Sequence, residues 1–294
     1  MVVGSGSRRD FDRYLMVDWS ANSTPKVGRD SIWIAEAGPV GHVTLTNPST
    51  RSAALMELTA LMTRAEDERV IVGFDFSFGY PTGFASAVAG EGAGWSEVWS
   101  LLSDELIDGD DNSNNRFEVA AELNRSLDGE GPFWGHPGRE APVGRRRPPR
   151  GRLDEFRLTE RRVIEAGHRP FPAWQLAYPG SVGSQMLLGL ARLDGLRRHP
   201  DVGRRCRVWP FETGLGEGSL RVDPGGVVLA EIWPSMFPVT SDHPVRDAAQ
   251  VVSMVERLRG ADALGELSRW SDPALEPEER EVVLREEGWT FGVL

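Results

Sequence analysis

Two short apolar segments of the chain end in the same way, with an aspartate, an aromatic residue and a serine. One reads VDWS and contains Asp18, and the other reads FDFS and contains Asp75. Carboxylates are the ligands that Mg²⁺ and Mn²⁺ take in proteins, and two such ions can drive hydrolysis of a phosphodiester. The same pattern is also typical of an Asx or Ser turn that caps the next segment. The sequence is thus compatible with two interpretations, an acidic metal site formed by both aspartates or two separate turn caps.

The elements between these segments decide whether the two aspartates meet. The apolar patterns predict strand, strand, strand, helix and strand, over residues 14–19, 30–36, 42–46, 49–64 and 70–76. A helix between two strands normally returns the chain parallel to a strand already in the sheet. If that strand is the first one, Asp18 and Asp75 lie at the same end of neighbouring strands.

Alternation of side chains along these strands predicts which neighbours share a side with the aspartates. Ser20 and Ser77 stand two residues after Asp18 and Asp75 and are expected on the same sides as them, whereas the aromatic residues between point away. The two serines are therefore predicted to contact the substrate.

Two further carboxylates complete a predicted cluster of four. Glu231 interrupts an apolar face near the end of a strand predicted over 227–233, where burial of a lone carboxylate is costly without a partner or a metal. Asp247 stands in the first turn of a helix predicted over 244–259, where the helix dipole alone would also favour an acid. Such crowding should raise the pKa values of the carboxyl groups, and a bound cation should relieve it.

The middle of the chain, about residues 84–200, is predicted to be a mostly helical insertion over the acidic centre. Helices are expected at 95–106, 117–127, 158–166 and 183–198, with a loop rich in glycine and proline at 129–152. This loop holds the one dense basic stretch, RRRPPRGR at 145–152, which is either solvated or an arm that contacts phosphate. Two further strands are predicted at 204–211 and 227–233, and a last helix at 276–287.

Four residues of the middle segment are predicted to bind substrate. Arg116 and Asn124 could face a phosphate from their helix, although a solvated face with local salt bridges is the common alternative. Trp134 could stack a base or pack its loop onto the core. Gln185 begins a helix after glycines, where backbone N–H groups could meet an anion.

Composition places the chain among ordinary folded proteins. It has 294 residues, of which 40% are hydrophobic and 26% charged, and no apolar run approaches the roughly 20 residues of a membrane span. With no apolar signal segment, no membrane partner and a single cysteine, we expect a cytoplasmic protein without disulfides. The net charge of -11 argues against a general nucleic-acid coat protein, but leaves room for a nuclease with a local basic patch.

Several segments of the chain, taken in order, resemble a bacterial and archaeal family of unknown function whose members are predicted to be nucleases of RNase H fold. The segments are VDWSA, GFDFSFGYP, RFEVAAELNR with GPFWGHP, VGSQMLLGL, AEIWPSMFP and EEGWTFGV. The resemblance implies an acidic site at Asp18, Asp75 and Glu231, with a fourth acid in a late helix. Asp247 and Glu287 both suit that fourth place.

The prediction is therefore an α/β protein, a single RNase H-like domain over 1–294. Its sheet is mixed, with three antiparallel strands followed by parallel ones, flanked by helices and interrupted by the insertion. Its predicted activity is hydrolysis of a phosphodiester in a nucleic acid or nucleotide by Mg²⁺ or Mn²⁺ held on Asp18, Asp75, Glu231 and Asp247. The alternatives are an ATP-dependent phosphotransferase of the same fold and a binding scaffold without catalysis.

Overall fold

The computed structural model describes residues 9–127, 131–136, 138, 143–144, 152–178 and 181–294, and a mixed sheet runs through the middle of this part of the chain. The predicted basic stretch 145–152 lies outside the described residues except for its last residue. The sheet has six strands within the described ranges: β1 Arg13–Asp18, β2 Trp33–Ala37, β3 Thr44–Thr46, β4 Val70–Phe74, β5 Cys206–Val208 and β6 Val227–Glu231.

The strands lie in the order β3-β2-β1-β4-β6-β5. β1 pairs antiparallel with β2, which pairs antiparallel with β3, whereas β1, β4, β6 and β5 pair in parallel. The structure thus confirms the predicted α/β class, with antiparallel strands followed by parallel ones. It also confirms that β4 returns beside β1.

Nine α-helices occur in the described ranges. They are α1 Arg51–Arg64, α2 Phe84–Ala89, α3 Trp95–Glu105, α4 Arg116–Ser126, α5 Leu158–Glu165, α6 Val182–Arg197, α7 Arg246–Ala263, α8 Leu267–Trp270 and α9 Pro277–Val282. α1 begins at Arg51, two residues after its predicted start, and the Thr50 side chain caps it by accepting a hydrogen bond from the backbone N–H of Ala53 at 3.1 Å. No described helix has the length and apolar character that crossing a bilayer requires.

Two predicted elements differ from the structure, and one helix was not predicted. The strand predicted at 204–211 is reduced to β5, because Gly203–Arg205 forms a 3₁₀ turn and the chain turns again from residue 209. The helix predicted at 276–287 stops being α-helical at Val282 and continues as the π-helical segment Val283–Glu287. The short helix α2 carries no capping side chain, and the sequence analysis did not predict it.

A helical layer covers each face of the sheet. On one face α7 packs against β1 and β2, and its Val251 and Val255 share a core with Met16 of β1. On the other face the sheet residues share a second core with α1, α3 and α6. Helices of the segment predicted as an insertion therefore build one layer of the fold together with α1.

Candidate acidic site at the sheet edge

Asp18 and Asp75 occupy adjacent positions at the ends of two parallel strands. Val17 pairs with Phe74 in the register of β1 and β4, and the backbone N–H of Asp75 donates to the carbonyl of Val17 at 2.9 Å. The aspartates therefore leave neighbouring strands side by side, where strands lie about 4.8 Å apart. This confirms their predicted proximity.

The aromatic residues after the aspartates point the other way, as alternation predicts. Trp19 and Phe76 are buried with Phe74 in the core on the α6 side, with ring centroids 6.0 Å apart between Trp19 and Phe76. Asp18 follows Met16 on the opposite face, which α7 covers. Hydrophobic packing of the rings thus fixes the direction in which the carboxylates leave the sheet.

The two carboxylates have no protein partner among the residues that the structure describes. Neither accepts a hydrogen bond or forms an ion pair, and each side chain is only partly exposed. Burial, and then the negative charges of Asp75, Asp247 and Asp30, hold the pKa of Asp18 well above its ordinary value. Burial, followed by Glu231 and Asp247, raises the pKa of Asp75 to about 7. The pair consequently favours a proton or a cation near neutral pH.

Asp247 joins this pair from α7. It stands in the first turn of the helix, which packs along β1, and its Oδ2 accepts a hydrogen bond from the backbone N–H of Asp30 at 2.8 Å. Asp30 is exposed and adopts a left-handed backbone with φ 52°. Sequence reasoning missed Asp30, because nothing distinguishes it from other polar residues of the loop between β1 and β2.

Glu231 lies beside Asp75 but is engaged elsewhere. It pairs in register with Phe74, so its side chain shares the face of that residue and not the face of the aspartates. Arg157 donates to both of its oxygens, at 2.7 and 2.8 Å, and Thr290 and the backbone N–H of Phe78 also donate to them. The structure therefore brings all four predicted carboxylates near one another, but it holds Glu231 in a buried ion pair on the other face of the sheet.

Arg157 is the partner that the sequence analysis did not find. Its side chain is fully buried and also contacts Glu160, three residues later on α5. An arginine directly before a helix is unfavourable for the helix dipole, and the nearby Glu160 offsets this locally, so the sequence carries no signal for its second partner Glu231.

Glu287, the other residue considered for the fourth acid, serves a structural purpose. Its carboxylate accepts hydrogen bonds from the backbone N–H groups of Thr82 at 2.8 Å and Leu158 at 2.7 Å. Burial raises its pKa despite these bonds. Glu287 thus joins the loop before α2 to the start of α5, whereas Asp247 is the late-helix acid whose charge acts on Asp18 and Asp75.

The two serines differ in their surroundings. Ser20 is buried and accepts hydrogen bonds from the backbone and side-chain nitrogens of Asn22, at 3.3 and 2.6 Å, which is the turn-capping arrangement. Ser77 is partly exposed, and its hydroxyl has no partner within the described ranges. Of the two, only Ser77 therefore leaves its hydroxyl open beside the acids.

Arg116 and Gln185 lie along the loop that follows Asp18. Gln185 donates from Nε2 to the carbonyl of Trp19 at 2.6 Å, and Arg116 donates to the hydroxyl of Ser23 at 2.9 Å. These contacts place the start of α4 and the start of α6 against the chain segment that leaves β1. The predicted binding residues of the two helices thus contact the segment that directly follows Asp18.

Asn124 and Trp134 hold the GPFWGHP loop on the core. The Asn124 side chain is buried and forms two hydrogen bonds of 2.9 Å with the backbone of Phe133. Trp134 is partly buried and bridges to residues 174 and 176 through its backbone. Both residues therefore have a packing function in the structure, and their predicted contact with substrate stays a prediction.

The carboxylates as they stand do not form a complete set of metal ligands. Among the described residues, no group of three or more histidine, cysteine, aspartate or glutamate side chains is arranged to hold a metal ion. The site consists of two adjacent carboxylates, Asp18 and Asp75, with the charges of the ion-paired Glu231 and of Asp247 near them.

Comparison of the chain with protein-family models, with curated proteins and with solved structures gives no match.

Proposed function

We propose that this protein is a metal-dependent phosphodiester hydrolase of RNase H-like fold, acting on a nucleic acid or nucleotide. The observation that carries the proposal is the pair Asp18 and Asp75, two unpartnered carboxylates side by side at the ends of neighbouring parallel strands. A charge arrangement of this kind destabilises the empty site, because burial and mutual repulsion both disfavour the ionised forms. A divalent cation would offset both costs.

The sheet supports the RNase H-like part of the proposal. That fold, which the sequence resemblance implies, has antiparallel strands followed by parallel ones, and the observed order β3-β2-β1-β4-β6-β5 is compatible with it. In this order the acids of β1 and β4 lie at the carboxyl ends of adjacent central strands. Carboxyl ends of parallel strands are the common location for ligands in α/β sheets.

The donor set suits Mg²⁺ or Mn²⁺. Mg²⁺ commonly binds through one or two carboxylates, keeps several waters and takes its other ligands from substrate phosphates, so the absence of a three-acid group in the described residues is compatible with it. Asp18 and Asp75 would hold the ion, and Asp247 would add negative charge from α7. When bound, such ions activate a water and stabilise the leaving oxygen of a phosphodiester.

The protein residues around the pair have distinct tasks in this proposal. Asp18 and Asp75 must lose their retained proton before a cation binds, so burial and repulsion set the pH at which the site becomes competent. Arg157 keeps Glu231 in place, so that this buried charge acts on Asp75 without leaving its ion pair. Ser77, with its open hydroxyl, is placed to contact a substrate oxygen.

Cleavage assays test the proposal directly. DNA, RNA, hybrid duplexes and cyclic nucleotides are incubated with Mg²⁺ or Mn²⁺ and either the wild type or an Asp18→Asn/Asp75→Asn double variant. We expect cleavage by the wild type and a loss of about a hundredfold or more in the double variant. The control is Asp67→Asn, which alters an exposed acid in the turn before β4, at the opposite end of the strand from Asp75. Equal rates in the wild type and the double variant would refute the proposal.

A further inference from the structure

Arg116, the first residue of α4, carries a guanidinium group that neutral atoms hold in place. Nε donates to the hydroxyl of Ser184 at 2.9 Å, and Nη1 donates to the hydroxyl of Ser23 at 2.9 Å and to Oδ1 of Asn114 at 2.7 Å. The group also lies over the ring of Phe117, with 4.4 Å between Cζ and the ring centroid. These contacts fix its orientation without neutralising its charge.

The acids around Arg116 do not balance this charge. Within the described ranges, no carboxylate lies within 4 Å of its nitrogens. Glu118 and Asp108 are close enough to influence it, but Glu118 is exposed and forms no ion pair with it, and Arg51 and Arg192 already bind Asp108 at 2.5 and 2.7 Å. Burial, and then the charge of Arg51, lowers the pKa of Arg116 to about 10. A partly buried cation in these surroundings is stabilised by an incoming anion.

One edge of the guanidinium group stays open. Nη2 carries two N–H donors and has no partner in the part of the chain that the structure describes, and the side chain is partly exposed. A planar guanidinium group matches the oxygens of a phosphate, and one fixed in advance loses little conformational entropy on binding.

The residues that anchor the guanidinium group connect it to the segment that follows Asp18. Ser23, which anchors Nη1, follows Asp18 by five residues, a segment that spans at most about 18 Å. Gln185, next to the anchoring Ser184, donates to the carbonyl of Trp19 at 2.6 Å. An extended polyanion with one phosphate at Asp18 and Asp75 can therefore bring another to Arg116.

We propose that Arg116 binds a backbone phosphate of a nucleic-acid strand, at a position other than the phosphate that is hydrolysed. The identity of the substrate rests on the proposed function, whereas binding of the anion does not require any metal. In a chain of net charge -11, such a local cation would be needed to hold a polyanion.

Fluorescence anisotropy of a labelled short single-stranded oligonucleotide, in buffer with EDTA so that no cleavage occurs, measures this binding. We expect Arg116→Gln to weaken binding about tenfold and to reduce the slope of log affinity against log salt by about 1. Arg116→Lys keeps the charge but loses the fixed planar group, so its affinity should lie between those of the wild type and Arg116→Gln. The matched control is Arg125→Gln on the same helix, an exposed residue already paired with Glu122, and it should bind as the wild type does.

Two further binding measurements identify the kind of anion that is bound. Inorganic phosphate should compete with the oligonucleotide in the wild type, and an analogue with neutral methylphosphonate linkages should bind at least about tenfold more weakly than the charged strand. If Arg116→Gln unfolds, Ser23→Ala takes its place: it removes an exposed anchor of Nη1 and should weaken binding about threefold.

Unchanged affinity and salt slope in Arg116→Gln would overturn the proposal. Dependence on Arg116 for inorganic phosphate but not for the oligonucleotide would overturn the assignment to a backbone phosphate. If oligonucleotide binding in EDTA depends on Arg116 but no cleavage occurs with Mn²⁺, the proposed hydrolase activity is wrong. The phosphate site at Arg116 then stands without it.

Discussion

At the scale of single residues, the protein separates two uses of buried carboxylates. Asp18 and Asp75 remain without partners in the described part of the chain, and their pKa values rise. Glu231, one strand away, accepts hydrogen bonds at both oxygens and pairs with Arg157. An acid that the fold has already satisfied stabilises structure, whereas one left open at a sheet edge can bind a ligand.

The open pair predicts an unusual pH dependence of stability. A carboxyl group whose folded-state pKa is raised stabilises the fold while it is protonated, and this contribution is lost as the pH rises through the folded-state value. For Asp75 that loss extends from about pH 4 to about 7. Asp75→Asn removes the charge, so its free energy of unfolding relative to wild type should rise by about 1 to 2 kcal/mol between pH 5 and pH 8.

Urea unfolding at the two pH values measures this effect, with Asp67→Asn as the control whose difference from wild type should not change. The same difference between Asp75→Asn and wild type at pH 5 and pH 8 would show that Asp75 is an ordinary exposed carboxylate.

The ion pair of Arg157 with Glu231 predicts a large loss of stability when only one partner is removed. Arg157→Gln leaves Glu231 and Glu160 without their cation and should lower the free energy of unfolding by about 3 kcal/mol or more. The double variant Arg157→Gln/Glu231→Gln should recover part of that loss. A double-mutant cycle by chemical denaturation measures the coupling, and a loss below about 1 kcal/mol for Arg157→Gln would contradict the buried pair.

Sequence reasoning found the open acids and misjudged the paired one for the same physical reason. Asp18 and Asp75 each end a short apolar strand, and the helix before the second strand allows one crossover rule to place the two strands side by side. The argument that Glu231 needs a partner or a metal was sound, but its partner is 74 residues away and no local pattern connects the two. Asp247 could be placed only as a helix-start acid until the packing of α7 was known.

At the scale of elements, close packing of α6 against the strand ends sets the direction of the acids. A Cβ atom on Gly189 of α6 would lie 2.5 Å from the ring of Phe76, so only glycine allows the ring to sit there. The VGSQMLLGL helix and the FDFS strand end are thus complementary surfaces. The ring that packs under α6 is the neighbour that turns Asp75 outward.

Two glycines of α6 provide a matched test of this packing. Gly189→Ala should lower the free energy of unfolding by about 2 kcal/mol through overpacking. Gly195→Ala, on the same helix, meets nothing within 4 Å and should raise it by about 0.5 to 1 kcal/mol, because alanine is the better helix former. Thermal or urea unfolding checks both, and equal effects of the two substitutions would contradict the close approach of α6.

The bounds of helices and strands are predicted from the sequence with uneven success. Long amphipathic segments such as α1 and α7 are predicted well, because an apolar stripe and a start signal coincide. β5 is shorter than its apolar pattern, since tight turns on both sides end the pairing. The layer on one face combines α1 with α3 and α6 of the segment predicted as an insertion, and local sequence patterns do not reveal that helices so far apart in the chain share one core.

At the scale of the whole molecule, the sheet order brings the separate sequence motifs into one place. β1 and β4 are central neighbours, α7 adds an acid from one layer, and α4 and α6 add Arg116 and Gln185 from the other. A protein that is acidic overall thereby combines a pair of carboxylates suited to a cation, Asp18 and Asp75, with a local group suited to an anion, Arg116. This combination is the basis of the proposed phosphodiester chemistry.

Titration with Mn²⁺ followed by electron paramagnetic resonance measures whether Asp18 and Asp75 together bind a divalent cation. At pH 8 the wild type and Asp67→Asn should bind Mn²⁺ with equal affinity. Asp18→Asn and Asp75→Asn should each weaken binding by about tenfold or more, and wild-type affinity should fall as the pH drops below about 7. Mn²⁺ binding that is absent from the wild type, or unchanged in both variants, would contradict the account.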